Sequence, residues 1–208
     1  MNFLTDDSSK LFGELSNFDF FSSFTFVGGS AIAHYLNHRL SEDLDFFSWD
    51  PKLPKETNDF IKNISKSHNV NIAFSDSHLF ELFIDGIKIT LFANDWESLE
   101  RERTVLNKNI YIAKLELLTA MKVNALSLRA KYRDYYDLYV LNMEKFGIKE
   151  MFEYSMMFIP GITKKIFAMQ ITYIDDIEDE NINHLKPKYD ISLRDIQKHF
   201  EQEITKIL

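Results

Sequence analysis

The 208-residue sequence predicts an α+β fold, with a mixed α/β domain over residues 1–110 and a helical bundle over residues 111–208. Two observations carry this expectation. Short β-prone runs alternate with helix-forming stretches through the first half. Among them is "HLFELFIDGIKITLFAN", whose Asp85-Gly86 pair is a favoured two-residue type I′ turn. From about Ile110 the period changes, and Ile112, Leu115, Leu118, Met121, Ala125 and Leu128 make a helical stripe.

Taken in order, "DSSKLFGELS" predicts a short helix capped by Asp7 or Ser8. "FTFVGG" is a β-prone run ending in two glycines, followed by the helical "SAIAHYLNHRL" and a second strand in "EDLDFFSW". "TNDFIKNISKSH" predicts a helix with Phe60, Ile61 and Ile64 on its apolar face, and "NVNIAF" a further strand. The Asp85-Gly86 turn sets Ile84 opposite Ile87, Phe83 opposite Lys88, Leu82 opposite Ile89 and Glu81 opposite Thr90. "RDYYDLYVLNMEKFG", "KEMFEYSMMFI" and "ITKKIFAMQITYI" extend the bundle, the run 175–181 is a loop, and a final amphipathic helix is capped by Ser192.

The composition bounds the chemistry. Without cysteine the chain has no disulfide, thiolate metal site or cysteine nucleophile. No stretch approaches the roughly 18 apolar residues of a membrane span, and the first residues lack the pattern of a secretory leader, so a cytoplasmic location is expected. A net charge of −8 argues against a protein that coats nucleic acid. Yet between Arg101 and Arg133 eight basic residues face only Glu102 and Glu116. That excess reads either as a focused anion site or as a solvated helix face.

The stretch that raises a chemical question is "FVGGSAIAHYLNHRLSEDLDFF". A strand entering a helix through Gly28-Gly29-Ser30 lets backbone approach a ligand and offers phosphate the unpaired N–H groups of a helix start. The same tripeptide also makes an ordinary tight turn. On a strand, Asp43 and Asp45 point to one side while Leu44 points to the other. Paired carboxylates repel until a hard cation such as Mg²⁺ lies between them. A solvated strand face is the bland reading, but Phe46 and Phe47 follow directly and argue for burial, where acids need partners.

In this order, Gly28-Gly29-Ser30, a helix, His38-Arg39 and Asp43-Leu44-Asp45-Phe46-Phe47 resemble the nucleotidyltransferase toxins of the AbiEii/AbiGii type, which share a polymerase-β-like minimal nucleotidyltransferase fold. Lys122 of "AMKVNAL" and the segment "RAKYRDYYDLYVL" are similar to that family's lysine helix and its Arg-x-x-x-Arg-Asp-x-x-Asp-Leu segment. The resemblance implies that Gly28, Gly29 and Ser30 hold a triphosphate, and that Asp43 and Asp45 bind Mg²⁺. It implies that Arg39, Lys122 and Arg129 neutralise phosphate, and that Asp134 stands at the mouth of the cleft. The implied activity moves a nucleoside monophosphate from a nucleoside triphosphate to a hydroxyl of RNA, such as a tRNA 3′ end, or of protein. Such a protein is the toxin of a toxin–antitoxin or phage abortive-infection pair, with a cognate antitoxin as partner.

Bland readings stand beside these. Lys122 could be a surface lysine, although Leu118, Ala125 and Arg129 share its helical stripe. Asp134 could be a helix N-cap with Asp137 as its capping-box partner, and Arg133 could pair with Asp137. The family pattern also expects a third carboxylate on the strand after the hairpin, where this sequence has Thr90, a residue that is neither a general base nor a strong Mg²⁺ ligand. Glu81, directly across from Thr90, is the candidate replacement. An enzyme and a catalytically impaired nucleotide-binding or partner-binding module of the same fold therefore both remain. A DNA-binding regulator is disfavoured by the acidity.

Overall fold

A computed structural model describes residues 3–207. The chain divides into two compact units, one of Met1–His34 with Ser41–Lys114 and the other of Tyr35–Leu40 with Leu115–Leu208.

The first unit holds the sheet. Strands β1 (Thr25–Val27), β2 (Leu44–Ser48), β3 (Val70–Ser75), β4 (Leu79–Ile84), β5 (Ile87–Ala93), β6 (Arg103–Asn107) and β7 (Ile110–Ala113) lie in the order β3-β4-β5-β2-β1-β7-β6. The β1/β7 and β2/β5 pairs are parallel and the others antiparallel. Helices α1 (Asp6–Leu15), α2 (Gly28–Leu36), α3 (Thr57–Ile64) and the single turn α4 (Ser98–Arg101) accompany it, α2 ending across the division between the units. The many phenylalanines have a definite place. Phe12 of α1, Phe21, Phe26 of β1 and Phe46 of β2 are fully buried, with ring centroids 5.0 Å (Phe12–Phe26), 4.6 Å (Phe21–Phe46) and 5.3 Å (Phe26–Phe46) apart. Edge-to-face and tilted pairs of this kind add about 1 kcal/mol each beyond their burial.

The hairpin follows its turn chemistry. Asp85 (φ 50°) and Gly86 (φ 85°) both adopt the left-handed conformation that a type I′ turn demands. The observed pairs are Ile84↔Ile87, Phe83↔Lys88, Leu82↔Ile89 and Glu81↔Thr90, the register the turn predicts. Three expectations need correction. Residues 110–113, expected to open a helix, are strand β7, which pairs with β1 through Thr25↔Tyr111 and Phe26↔Ile112. A four-residue apolar run satisfies both periods, and only the edge offered by β1 decides between them. Strand β6 and helix α4 lie outside the elements that the sequence pattern predicts. Helix α1 is preceded by Thr5 rather than capped by Asp7 or Ser8. The Ser8 hydroxyl instead donates to the Glu42 carbonyl at 2.8 Å.

His68 ties three segments of this unit together. Its Nδ1 lies 2.6 Å from Asp85 in the hairpin turn and its Nε2 lies 2.9 Å from Glu14 of α1. A ring with a carboxylate at each nitrogen must carry both protons. The hydrogen bond to Asp85 and the charge of Glu14 accordingly raise the His68 pKa above 6.5. Because the folded value exceeds the unfolded one, this stabilisation is complete below the unfolded pKa and disappears as pH rises through the folded pKa. The parent protein is therefore expected to melt above His68→Gln below about pH 6, with the difference shrinking as pH rises through the raised folded pKa. A pH-independent difference in thermal unfolding would contradict the clamp.

The second unit is a bundle of α5 (Leu115–Arg129), α6 (Tyr132–Glu144), α7 (Ile148–Phe158), α8 (Lys164–Thr172) and α9 (Leu193–Ile204). Its core includes Tyr135 and Tyr136 of α6, Phe167 of α8 and Phe200 of α9, all fully buried. Ser192 caps α9 as expected, its hydroxyl accepting the Asp195 N–H at 3.2 Å. Among the described residues, no helix is long and apolar enough to cross a membrane.

Candidate functional site

In the first unit, β1 passes directly into α2, and Gly28 at the junction has φ 78°. A Cβ at Gly28 would collide with a carboxylate oxygen of Asp45 and stand 3.2 Å from its Cγ. Only glycine meets both constraints, so the start of α2 is backed onto the Asp45 side chain. Ser30 is buried, and its hydroxyl donates to the Asp43 carbonyl and lies 2.7 Å from the Ser41 hydroxyl. The α2 turn and the segment carrying both acids are thus held as one piece. Along β2, Leu44, Phe46 and Ser48 are buried whereas Asp45 and Phe47 are half-buried. Asp43, just ahead of the strand, is half-buried too.

The sheet places Thr90 of β5 beside Asp45 and Glu81 of β4 beside Thr90, in one row across three strands. Directly paired residues share a face, so all three side chains lie on the same side. Two strand spacings separate Asp45 from Glu81, about 9.6 Å. The Glu81 carboxylate makes an ion pair of 2.8 Å with Lys88. Among the described residues no group of three or more metal-ligating side chains occurs. Mg²⁺, however, is commonly held by one or two carboxylates, with substrate phosphate and water completing the shell. The donor chemistry of Asp43 and Asp45 fits such an ion.

In the second unit, Asp137 of α6 is fully buried and central to a charge network. Arg39 grips it with Nε 2.8 Å from one carboxylate oxygen and a terminal nitrogen 3.0 Å from the other. His38 Nε2 lies 2.7 Å away, and Lys122 Nζ 3.0 Å away. Lys122 also reaches Asp134 at 2.8 Å. Burial opposes ionisation of Asp137, but Arg39 and Lys122 beside it, with the His38 hydrogen bond, hold its pKa well below the usual carboxylate range. For Lys122 burial likewise opposes the charge, and Asp137 and Asp134 outweigh it, raising the pKa. Burial lowers the pKa of His38, whose ring packs against Tyr136 with centroids 5.7 Å apart. With His38 neutral, two cations meet two anions.

Several local readings change here. Helix α6 starts at Tyr132 with Lys131 in the cap position, so Asp134 is the third helical residue rather than the cap. Its carboxylate accepts the Lys131 N–H at 3.0 Å, as the acid of a capping box does. Arg133 pairs with Glu180 at 3.3 Å, not with Asp137. Arg129 is exposed at the end of α5. The basic run is shared between the units, and Arg101, Lys114, Lys122 and Arg133 each face a carboxylate of their own unit. Sequence reasoning assigns no role to His38 and makes Asp137 a capping partner or a partner of Arg133. The three-residue spacing of Asp134 and Asp137, which puts both on one helical face, is the available signal.

The seven-stranded mixed sheet with its flanking helices, and the glycine turn backed onto Asp45, are those of a nucleotidyltransferase fold. Within that class, residues 9–91 match the family described as nucleotidyl transferase AbiEii toxin, Type IV TA system, a stretch that contains the Gly28-to-Phe47 motif but not Lys122 or residues 129–141. The chain is 25% identical over 189 residues to an uncharacterized protein, aq_aa25, of Aquifex aeolicus (strain VF5), covering 90% of this chain and 89% of that one. The crystal structure of a candidate nucleotidyltransferase from H. pylori aligns with a TM-score of 0.56 at 14% identity, over 98% of this chain and 96% of that one. MenT4, the nucleotidyltransferase toxin Rv2826c from Mycobacterium tuberculosis H37Rv, aligns with a TM-score of 0.56 at 11% identity, over 90% of this chain and 76% of that one. At such identities the two structures establish the fold.

Proposed function

We propose that the protein is a Mg²⁺-dependent nucleotidyltransferase that transfers a nucleoside monophosphate to a hydroxyl acceptor, and that it acts in the cytoplasm as the toxin of a toxin–antitoxin or abortive-infection pair. The observation that supports the reading is the approach of Gly28 to Asp45, which sets a helix start suited to phosphate beside an acid that would hold the metal. In the reaction the acceptor oxygen bonds to the α-phosphorus. The bond to the β-phosphate oxygen breaks, pyrophosphate leaves, and the acceptor proton passes to a carboxylate. Gly28, Gly29 and Ser30 would position the triphosphate, and Asp43 and Asp45 would hold the ion. Bound Mg²⁺ would supply charge neutralisation on the phosphates. Arg39, Lys122 and Arg129 are assigned to phosphate and Asp134 to the mouth of the cleft, on the family resemblance.

Glu81 is the proposed proton acceptor in place of the expected third acid, which Thr90 cannot supply. Its carboxylate, however, is engaged by Lys88 in an ion pair. That pairing is the specific support for the second reading, a nucleotide-binding or antitoxin-binding module without catalysis. The test is incubation with Mg²⁺ and each α-labelled nucleoside triphosphate in the presence of bacterial RNA and protein. Label on either acceptor supports the enzyme, and the band names its class. In an active protein Glu81→Gln is expected to lower the rate about 10²-fold or more, the usual worth of a general base. An undiminished rate removes Glu81 from the mechanism, and binding of triphosphate with no transfer selects the second reading.

A further inference from the structure

Helix α8 is apolar on two sides, and the bundle uses one of them. Phe167 and Ile171 are fully buried, Phe167 against Phe152 of α7 with ring centroids 5.4 Å apart. Ile166, Met169 and Tyr173 lie on the opposite side and are 38, 59 and 48% exposed. Tyr173 closes the helix, its N–H donating to the Met169 carbonyl at 3.0 Å. Steps of three and then four residues are the spacing of the seam along which two helices pack. The charges at the two ends of this seam have opposite sign. Lys165 flanks its start, and Asp175 and Asp176 follow its end, all three exposed. Lys164 and Lys165 are the only charged residues between 157 and 174, and Lys164 is turned away to the Ile207 carbonyl at 2.6 Å. The Tyr173 hydroxyl donates to Asp176 at 2.8 Å, which holds that carboxylate at the far tip of the seam.

The geometry points to a second copy of this chain as the occupant of the seam, its α8 antiparallel to the first across a two-fold axis. With the axis between Met169 and Gln170, Ile166 of each copy meets Tyr173 of the other, and the two Met169 side chains meet at the centre. Residues 166 and 173 are about 10.5 Å apart along a helix, and the axis bisects that span, so all the apolar contacts close together. The same operation brings Lys165 of each copy to Asp176 of the other. A parallel arrangement instead sets lysine against lysine and aspartate against aspartate, and a partner helix of uniform charge satisfies one end while opposing the other. A net charge of −8 on each copy resists non-specific association, so the paired charges favour this orientation over others. The seam is short, and the dimer it makes is weak and reversible. This inference is independent of the transferase reading.

Sedimentation velocity of the full chain from about 1 to 500 μM tests the pairing, a range suited to a small, transient interface. The parent is expected to pass from monomer to dimer as concentration rises. Lys165→Glu and Asp176→Lys, each alone, bring like charges together at both ends of the seam and weaken the dimer about tenfold or more. An equimolar mixture of these two variants regains the parental affinity, because each introduced charge then meets its opposite. Met169→Lys sets two like charges at the axis and abolishes association. Ile72→Ser, which alters an exposed side chain on the edge strand β3, leaves association unchanged. Circular dichroism confirms the fold of each variant. A parent that stays monomeric throughout overturns the inference and leaves the seam to a different partner. A dimer indifferent to Met169→Lys, or a mixture no tighter than either variant alone, overturns it as well. A dimer lost in Ile72→Ser and kept in Met169→Lys moves the contact to the sheet edge and also overturns it.

Discussion

Asp45→Asn is expected to abolish labelling of the acceptor while leaving the protein folded. The substitution keeps the shape of the side chain against Gly28 and removes the charge that would hold the metal. Metal stabilisation of the transferring phosphoryl group is worth several kcal/mol, and each 1.4 kcal/mol is tenfold, so a loss of about 10³-fold or more follows. Transfer measured with each labelled triphosphate, with urea unfolding in parallel, checks this. A variant of parental stability that retains parental transfer would remove Asp45 from the chemistry and with it the proposed function. A variant that loses both stability and transfer would show instead that Asp45 serves the β1–α2 junction.

Asp137→Ala carries the largest expected loss of stability. It strips a fully buried carboxylate from Arg39, Lys122 and His38. Breaking a buried charge pair from one side costs about 3–5 kcal/mol. The depressed pKa of Asp137 sets the pH dependence. Its stabilising contribution is present above the unfolded pKa and is lost as pH falls through the folded one, so the parent approaches the variant in strong acid. Urea unfolding at neutral and acidic pH measures both effects. A loss below about 1 kcal/mol at neutral pH would mean that the network relaxes or admits water, and that its cations are available for phosphate without cost.

The elements that depend on neighbours in the chain are legible in the amino-acid sequence alone. Asp85-Gly86 determines its own hairpin and the pairing of Glu81 with Thr90, because a two-residue turn leaves one register open. The stripe from Leu115 onward is likewise local, and helix α5 follows it. In the acid motif, the spacing of Asp43 and Asp45 is readable. The collision that makes Gly28 obligatory is not, since it depends on where β1 and β2 pair.

What only the tertiary structure decides are the long-range partners. Residues 110–113 become β7 because β1 offers a parallel edge about 85 positions away in sequence, and nothing within so short a run distinguishes strand from helix. Asp137 becomes the centre of a charge network because His38 and Arg39 meet it across 99 and 98 positions. Periodicity and turn chemistry act over a few residues and are written in the sequence itself. Burial, and the demand it places on every charge to find a partner, arises only when distant segments exclude water together.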